Sequence, residues 1–348
     1  MASTSSKIAI IDDANQEGGL KYLFPEADYY IYQRRNGTEG FFKKNKFDVL
    51  TNIEDINDEK YDTLFVIKPL YNTPTHYKKD DGSPEYANNC FVKDMSDAFN
   101  VTLRIINANT FKNIFFFVNC DYDMDPNFIF KYKTIRSLKS NIVFFKRNYS
   151  NKIEYNENVC SFPYLIFFRN TYCIIESITE AAKNMRITDW SFPKNNRVFY
   201  SGGVYHHTDE QYGVNVNRIS SLNRIRNRLQ DLIYIPNHLP HDIYMQEMRN
   251  SKFCLDLLGC GNPNLRTFEI LEVGSLLISQ RSTLQWPFPE TFCEETQFDD
   301  ENDLFDKIQR LIADDNLYQH CLQQQYHIVS TYMNKDAMRN YIINKIEL

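Results

Sequence analysis

Residues 248–279, MRNSKFCLDLLGCGNPNLRTFEILEVGSLLIS, give the clearest succession of structural signals in the chain. The run Lys252 to Leu258 is a short apolar strand candidate, and the glycines and proline of residues 259–263 predict the loop that ends it. The residues that follow carry apolar side chains at helical spacing, and Gly274 predicts the end of that helix before a buried strand, Ser275 to Ser279. The segment is therefore predicted to fold as strand, loop, helix and strand.

The start of this helix is a candidate anion site. In an open parallel sheet, loops at the carboxyl ends of strands form the ligand crevice, and the next helix presents free N–H groups there. Asn264 and Arg266 fall at that point, with Glu269 one turn later. A guanidinium can bind a diphosphate in bidentate fashion, and a carboxylate can accept hydrogen bonds from ribose hydroxyls. Spacing alone leaves an alternative, in which Arg266 and Glu269 form an ordinary i,i+3 surface ion pair.

The run RTFEILEVG at residues 266–274, followed by SLLI, resembles the carboxyl-terminal domain of GT-B glycosyltransferases, particularly the exostosin-like and glycosyl transferases group 1 families. In those families an arginine lies three residues before a glutamate, and a glycine lies five residues after it. The strand at residues 248–258 and the turn RVFYSGG at residues 197–203 resemble the same domain. The likeness covers roughly the second half of the chain, and the first 140 residues only weakly.

The resemblance implies an α/β protein of GT-B type, with two Rossmann-like domains facing a central cleft and a carboxyl-terminal helix that crosses back. We expect an acceptor-side domain at residues 1–190, a nucleotide-sugar-binding domain at residues 191–330, and the crossing helix at residues 331–348. Strands alternating with helical patterns in the first half independently predict a parallel sheet. The strand candidates there are Lys7 to Ile11, Tyr29 to Gln33, Thr63 to Lys68, Asn113 to Asn119 and Asn141 to Lys146.

The resemblance also implies an enzyme, a glycosyltransferase that moves a sugar from a UDP- or GDP-sugar to a hydroxyl acceptor on a glycan or glycoprotein precursor, without an obligatory metal. Glu269 matches the ribose-binding glutamate and Arg266 a phosphate contact. Glu272 is a further candidate, for which the alternative is a solvated helix residue. Many retaining members carry a second glutamate where this chain has Gly261. The retaining mechanism is therefore not carried over, and a catalytically inactive glycan- or protein-binding module remains the alternative.

A second set of candidates follows the strand Val198 to Ser201. Gly202 and Gly203 form a turn, and Arg218 stands near the start of the next predicted helix, after a polar loop. Phosphate oxygens need close backbone approach together with cationic charge, so these three residues are predicted donor contacts.

Transfer to a hydroxyl often uses a general base. Asp12 or Asp13, in the loop after the first strand, is the first candidate, and His206 is the second. A simple helix cap is the alternative role for Asp13.

An acidic triplet supports a competing, metal-dependent hypothesis. Asp121 and Asp123 follow a predicted strand, and an Asp-x-Asp at that position is what GT-A transferases use to hold Mn²⁺ or Mg²⁺ beside the diphosphate. Short acidic triplets are also common loop caps, and this hypothesis leaves residues 248–279 unexplained.

Composition and charge indicate which kinds of binding partner and which cellular compartment to expect. The net charge of −6 argues against nucleic-acid binding through a basic surface. No apolar run reaches the roughly 18 residues of a spanning helix, and the amino terminus lacks a secretory leader, so we expect a cytoplasmic protein. The eight cysteines contain no CxxC pair, which favours free thiols over a metal site or a disulfide framework.

Overall fold

The structure is a computed structural model. It describes residues 7–12, 19–31, 46, 48, 50, 52–68, 77–78, 84–85, 101–118, 142–146, 149, 158–161, 168–169, 172–184, 194–203, 206–209, 214–236, 239–258, 264–282 and 285–345.

The first half of the chain forms a six-stranded parallel sheet with the order β2-β1-β3-β6-β7-β8. Its strands are β1 (Ile8–Asp12), β2 (Asp28–Ile31), β3 (Thr63–Lys68), β6 (Asn113–Val118), β7 (Ile142–Lys146) and β8 (Val159–Ser161). Between β3 and β6 lies a small hairpin of β4 (Tyr77–Lys78) and β5 (Pro84–Glu85). The predicted strands are confirmed here, with ends that differ by one or two residues.

Both faces of this sheet are buried, which explains the apolar runs of its strands. In β3, Phe65 and Ile67 belong to one core cluster, whereas Leu64 and Val66 belong to the other. Aromatic residues on neighbouring strands stack across the sheet, with the ring centroids of Phe117 and Phe145 5.1 Å apart. Much of the aromatic content of this part of the chain therefore serves the core.

The second half forms a five-stranded parallel sheet with the order β14-β11-β15-β16-β17. Its strands are β11 (Asn195–Phe199), β14 (Ile233–Tyr234), β15 (Ser251–Asp256), β16 (Leu276–Gln280) and β17 (Gln297–Phe298). Two antiparallel hairpins precede β14, formed by β9 (Phe168–Arg169) with β10 (Tyr172–Cys173) and by β12 (His206–Asp209) with β13 (Val214–Asn217).

Helices cover both sheets. They are α1 (Gly19–Leu23), α2 (Ile174–Asn184), α3 (Arg218–Leu229), α4 (His241–Arg249), α5 (Leu265–Val273), α6 (Glu301–Ala313), α7 (Asp315–Tyr332) and α8 (Lys335–Asn344). Apolar spacing in the first half of the sequence predicts helices at Phe91 to Asn107 and Asn127 to Leu138. Residues 101–108 are helical, so the helix ends one residue beyond the first prediction. The predicted helix Asn127 to Leu138 lies outside the described residues. No described helix is long and apolar enough to cross a membrane.

One prediction about the second half was wrong. The segment from His206 to Asn217 is not a polar loop, because its ends pair as the β12–β13 hairpin, with His206 opposite Asn217. The alternation of Val214 and Val216 with asparagines favours this extended, half-apolar strand. The following helix begins at Arg218 without a break.

The carboxyl-terminal helix returns to the first half of the chain, as expected. Arg339 on α8 donates a hydrogen bond from Nη1 to the Leu23 carbonyl at 2.8 Å, and both of its terminal nitrogens reach the Glu26 carboxylate. Its guanidinium also lies 4.7 Å from the ring centroid of Phe24. The predicted domain limits at residues 190 and 330 stay predictions. The limit at residue 190 lies between β8 of the first sheet and β11 of the second sheet.

Helix α5 packs against α2, and Glu272 lies in this contact rather than in solvent. Its Oε1 accepts a hydrogen bond from the Ser177 hydroxyl at 2.5 Å. Burial raises the pKa of the Glu272 carboxyl to about 7, because the charged form loses its hydration. The interpretation of Glu272 as a solvated helix residue was therefore wrong, and its side chain belongs to the contact between the two helices.

Arg339→Ala should destabilise the protein by ~1–3 kcal/mol, because a charge-assisted pair, a helix-end carbonyl contact and a ring contact are lost together. Arg104→Ala is the matched control, since Arg104 forms an exposed pair with Glu54 that should contribute less than about 1 kcal/mol. Urea unfolding of the two variants measures both values. Equal losses in the two variants would contradict the assigned role of α8.

Glu272 should also make stability fall as pH rises. Between pH 4.5 and about 7 the folded state binds a proton at Glu272 that the unfolded state has released, so the free energy of unfolding decreases over this interval and then levels off. Glu272→Gln should remove this loss and gain on the order of 2 kcal/mol over the wild type at pH 8. Thermal unfolding at pH 5 and pH 8 measures the difference, with the exposed Glu180→Gln on α2 as the control. A wild-type pH dependence in Glu272→Gln would show that another group causes it.

Candidate functional site

The second sheet has a crevice where its strand order reverses. The chain passes from β11 outward to β14 and then returns to β15 on the other side of β11. In open α/β sheets, ligands bind outside the carboxyl ends of the two strands at such a switch point. Here the segment Tyr200–Gly203 follows β11, and the helix α5 follows β15. Arg266, in the first turn of α5, stands at this crevice.

The start of α5 is fixed by a network of side chains. Asn264 accepts a hydrogen bond from the Arg266 N–H at 2.9 Å, and its own N–H donates to Thr267 Oγ1 at 3.2 Å. Asp256, at the end of β15, accepts from Asn264 Nδ2 at 2.8 Å and from Thr267 Oγ1 at 2.6 Å. This capping box makes Asn264 a residue that orients the helix. A direct ligand contact by Asn264 stays a prediction.

The guanidinium of Arg266 is enclosed by the turn after β11. Its Cζ lies 4.6 Å from the ring centroid of Tyr200. A Cβ atom on Gly202 would overlap Nη2 of Arg266, so only glycine permits this approach of the backbone. Within the described part of the chain, Arg266 Nε and Nη1 are buried and make no hydrogen bond. The Nε and Nη1 donors of this charged group can therefore bind an acceptor from a ligand.

Glu269 lies one turn further along α5 and is 2% exposed. Its Oε2 accepts a hydrogen bond from the Tyr244 hydroxyl at 2.9 Å, and its Oε1 is 3.6 Å from Nε2 of the half-exposed His241. Burial and the neighbouring Glu269 charge raise the pKa of Tyr244 above its usual range, so its hydroxyl stays protonated and donates. A surface ion pair of Arg266 with Glu269 is excluded, because the Glu269 side chain is buried.

Arg218 has a structural function that the sequence did not reveal. It is 7% exposed, and it donates hydrogen bonds from Nε to the Leu258 carbonyl and from Nη2 to the Leu257 carbonyl, both at 2.9 Å. These bonds hold the chain as it leaves β15, next to the crevice. The predicted phosphate contact of Arg218 stays a prediction, as does that of the exposed Gly203.

The structure does not bring the three candidates for a general base to Arg266 by any described contact. Asp12 is fully buried at the end of β1, where its Oδ2 accepts a hydrogen bond from the Tyr29 hydroxyl. Asp13 lies outside the described residues. His206 begins β12, and only its backbone is described.

The metal hypothesis is not tested by the described residues. Asp121 and Asp123 lie outside them, although the strand that precedes this pair, β6, is present. Among the side chains that the structure describes, no group of three or more His, Cys, Asp or Glu could hold a metal ion.

The sequence did not predict three residues of the site. Tyr200 directly follows Phe199 at the end of β11, Asp256 ends β15, and Tyr244 lies on α4. A carboxylate at the end of a strand, eight residues before an asparagine cap, was a usable signal for Asp256. No local pattern distinguished Tyr200 or Tyr244 from the other tyrosines of the chain.

Comparisons with known proteins agree with this architecture. Residues 206–342 match the family model described as glycosyl transferase-like. A glycosyltransferase structure from Rickettsia africae aligns with a TM-score of 0.51 and 11% identity, over 99% of this chain and 98% of that one. The Anabaena protein HepE, in complex with UDP and glucose, aligns with a TM-score of 0.50 and 10% identity, over 98% and 99%.

A structure of T4 phage β-glucosyltransferase aligns with a TM-score of 0.48 and 11% identity, over 98% of this chain and all of that one. No curated protein sequence matches the chain. The resemblance to GT-B glycosyltransferases is confirmed for the fold and for the glycosyl transferase-like match. The closer resemblance to the exostosin-like family stays a prediction. The chain has the GT-B glycosyltransferase fold, and its residues 206–342 match the glycosyl transferase-like family.

Proposed function

We propose that this protein is a glycosyltransferase that uses a UDP-sugar as donor and a hydroxyl group of a glycan as acceptor. The observation that carries the proposal is the buried guanidinium of Arg266 at the switch point of the second sheet, with two unused donors. Burying a cation is costly unless it is paired, so this group is built for an anionic ligand.

A diphosphate is the anion that best fits the position of Arg266. The guanidinium offers donors on Nε and Nη1, and the first turn of α5 adds a helix amino terminus, which favours negative charge. Because Gly202 has no side chain, the backbone of the turn after β11 also lies close to the Arg266 guanidinium. When a sugar leaves a nucleotide, charge develops on the diphosphate, and these groups would stabilise it without a metal.

Glu269 is proposed to bind the ribose of the same nucleotide. It lies on α5 one turn beyond Arg266, and the Tyr244 hydrogen bond fixes its carboxylate. Carboxylate oxygens accept hydrogen bonds from ribose hydroxyls, and a buried carboxylate does so with little competition from water. UDP is the first nucleotide to test, because the Anabaena protein of the same fold is described in complex with UDP and glucose.

We propose that the acceptor approaches from the first domain, with Asp13 or His206 as general base, because the buried and hydrogen-bonded Asp12 is less able to reach a substrate. Cytoplasmic localisation stays a prediction.

The test is a thermal-shift titration with UDP and GDP, each with EDTA or with Mn²⁺, on the wild type and three variants. UDP should raise the midpoint in EDTA, because a ligand that binds only the folded state stabilises it. Arg266→Ala should weaken UDP binding at least tenfold. Glu269→Gln should weaken UDP binding less and should reduce the preference for UDP over 2′-deoxy-UDP.

Arg224→Ala is the matched control, because Arg224 is half-exposed on α3 and pairs with Glu301. Its UDP affinity should equal that of the wild type. Absence of any nucleotide-dependent shift would reject the proposed function in favour of a binding module that has lost its donor site. A shift that requires Mn²⁺ and persists in Arg266→Ala would favour the metal-dependent alternative.

A further inference from the structure

A second concave feature lies beside the Arg266 site. It is a cavity of about 450 Å³ at the carboxyl ends of β15 and β16, within the size range of ligand pockets. Asp256 and Thr267, which hold the start of α5, form one wall of the cavity, and Ser282 together with residues between 285 and 292 contributes most of the opposite wall. The proposed donor site around Arg266 does not include this space.

The apolar wall is aromatic and well supported. Trp286 stacks on Phe288 with ring centroids 5.3 Å apart, and it meets Phe292 edge to face at 5.6 Å. Phe288 in turn stacks on Tyr332 of α7 at 5.5 Å. Trp286 is only partly buried. A rigid, accessible indole beside polar groups suits a ligand with one apolar face and polar edges.

The polar wall contains amide and hydroxyl groups whose hydrogen-bonding capacity is not fully used by other described residues. Gln280 uses Oε1 to accept from the Leu258 N–H at 3.3 Å, which leaves its Nε2 donors available. Among the described residues, no partner hydrogen-bonds the Ser279 hydroxyl or the side-chain amide of Gln285, and both line the cavity. Neutral groups that can donate or accept are the kind that recognise hydroxyls.

The described side chains around the cavity do not favour an anionic ligand. None of the described residues that line it is Lys, Arg or His. Of its two carboxylates, Asp256 already binds Asn264 and Thr267, and Glu290 accepts from the Tyr332 hydroxyl at 2.9 Å. The cavity therefore suits a neutral ligand rather than a phosphate or a nucleotide.

We propose that this cavity binds one ring of a neutral saccharide, with Trp286 on the apolar face of the ring and Gln280 and Gln285 on its hydroxyls. The inference rests on the proposed function, because the saccharide would be a substrate of the same enzyme. The cavity adjoins Arg266 through Thr267. It also touches the first domain, since Gln285 N–H donates to the Tyr149 carbonyl at 2.8 Å and the Ser161 hydroxyl donates to the Gln285 carbonyl at 2.7 Å.

Tryptophan fluorescence tests this assignment, because the chain has only two tryptophans. Trp190→Phe leaves Trp286 as the sole reporter. This variant is titrated with methyl glycosides of glucose, galactose and N-acetylglucosamine, with maltose and cellobiose, and with UDP and UDP-sugars. We expect a saturable change in Trp286 emission with at least one saccharide, weakened at least fivefold by Gln280→Ala.

Gln323→Ala is the matched control, because Gln323 is exposed on α7 and does not line the cavity. It should leave the affinity unchanged. Gln285→Ala serves if Gln280→Ala does not fold, because the contacts of Gln285 with the first domain use only its backbone. It should weaken saccharide binding by a similar factor.

The two titrations separate the two possible sources of the ring. A response to a free saccharide without nucleotide identifies an acceptor, and a response to a UDP-sugar but not to UDP identifies the transferred sugar. If neither free saccharides nor UDP-sugars change Trp286 emission, or if both glutamine variants bind as the wild type does, the inference is wrong. UDP binding, followed by thermal shift on the same samples, shows whether the proposed function itself holds.

Discussion

The candidate site depends on the contact between the Arg266 guanidinium and the backbone at Gly202. These two residues come from opposite sides of the switch point, one from the helix after β15 and one from the turn after β11. A side chain at residue 202 would overlap the guanidinium, and the Tyr200 ring supports it from another side. The position of the charge is therefore set by the sheet order, and its burial without full hydrogen bonding is what points to an anionic ligand.

The surrounding network keeps this arrangement rigid. Asp256 fixes the first turn of α5 through Asn264 and Thr267, Arg218 fixes the exit of β15, and Tyr244 fixes Glu269. Each of these side chains is bound to another part of the second sheet or its helices. A site held by such supporting hydrogen bonds is organised before the ligand arrives, which reduces the entropic cost of binding.

The sequence predicted the strands well, because a buried parallel strand leaves a short, nearly continuous apolar run. It also predicted the end of α5, where Gly274 adopts the left-handed φ of 71° that glycine tolerates best. It could not separate Arg218 from Arg266, since the sequence predicts for both a place near the start of a helix that follows a loop. Only the fold shows that the first binds backbone carbonyls while the second keeps two donors unused among the described residues. Tyr244 was unpredictable for the same reason, because it reaches Glu269 from a different helix.

Calorimetric titration of UDP into Gly202→Ala, Arg266→Ala and the double variant tests whether Gly202 and Arg266 form the donor site through one contact. We expect Gly202→Ala to weaken UDP binding at least tenfold, about 1.4 kcal/mol, because the guanidinium must leave its place. In the Arg266→Ala background the same change should cost nothing further, since the two residues act through one contact. Wild-type affinity in Gly202→Ala, or losses that simply add in the double variant, would show that this contact does not position a ligand-binding guanidinium.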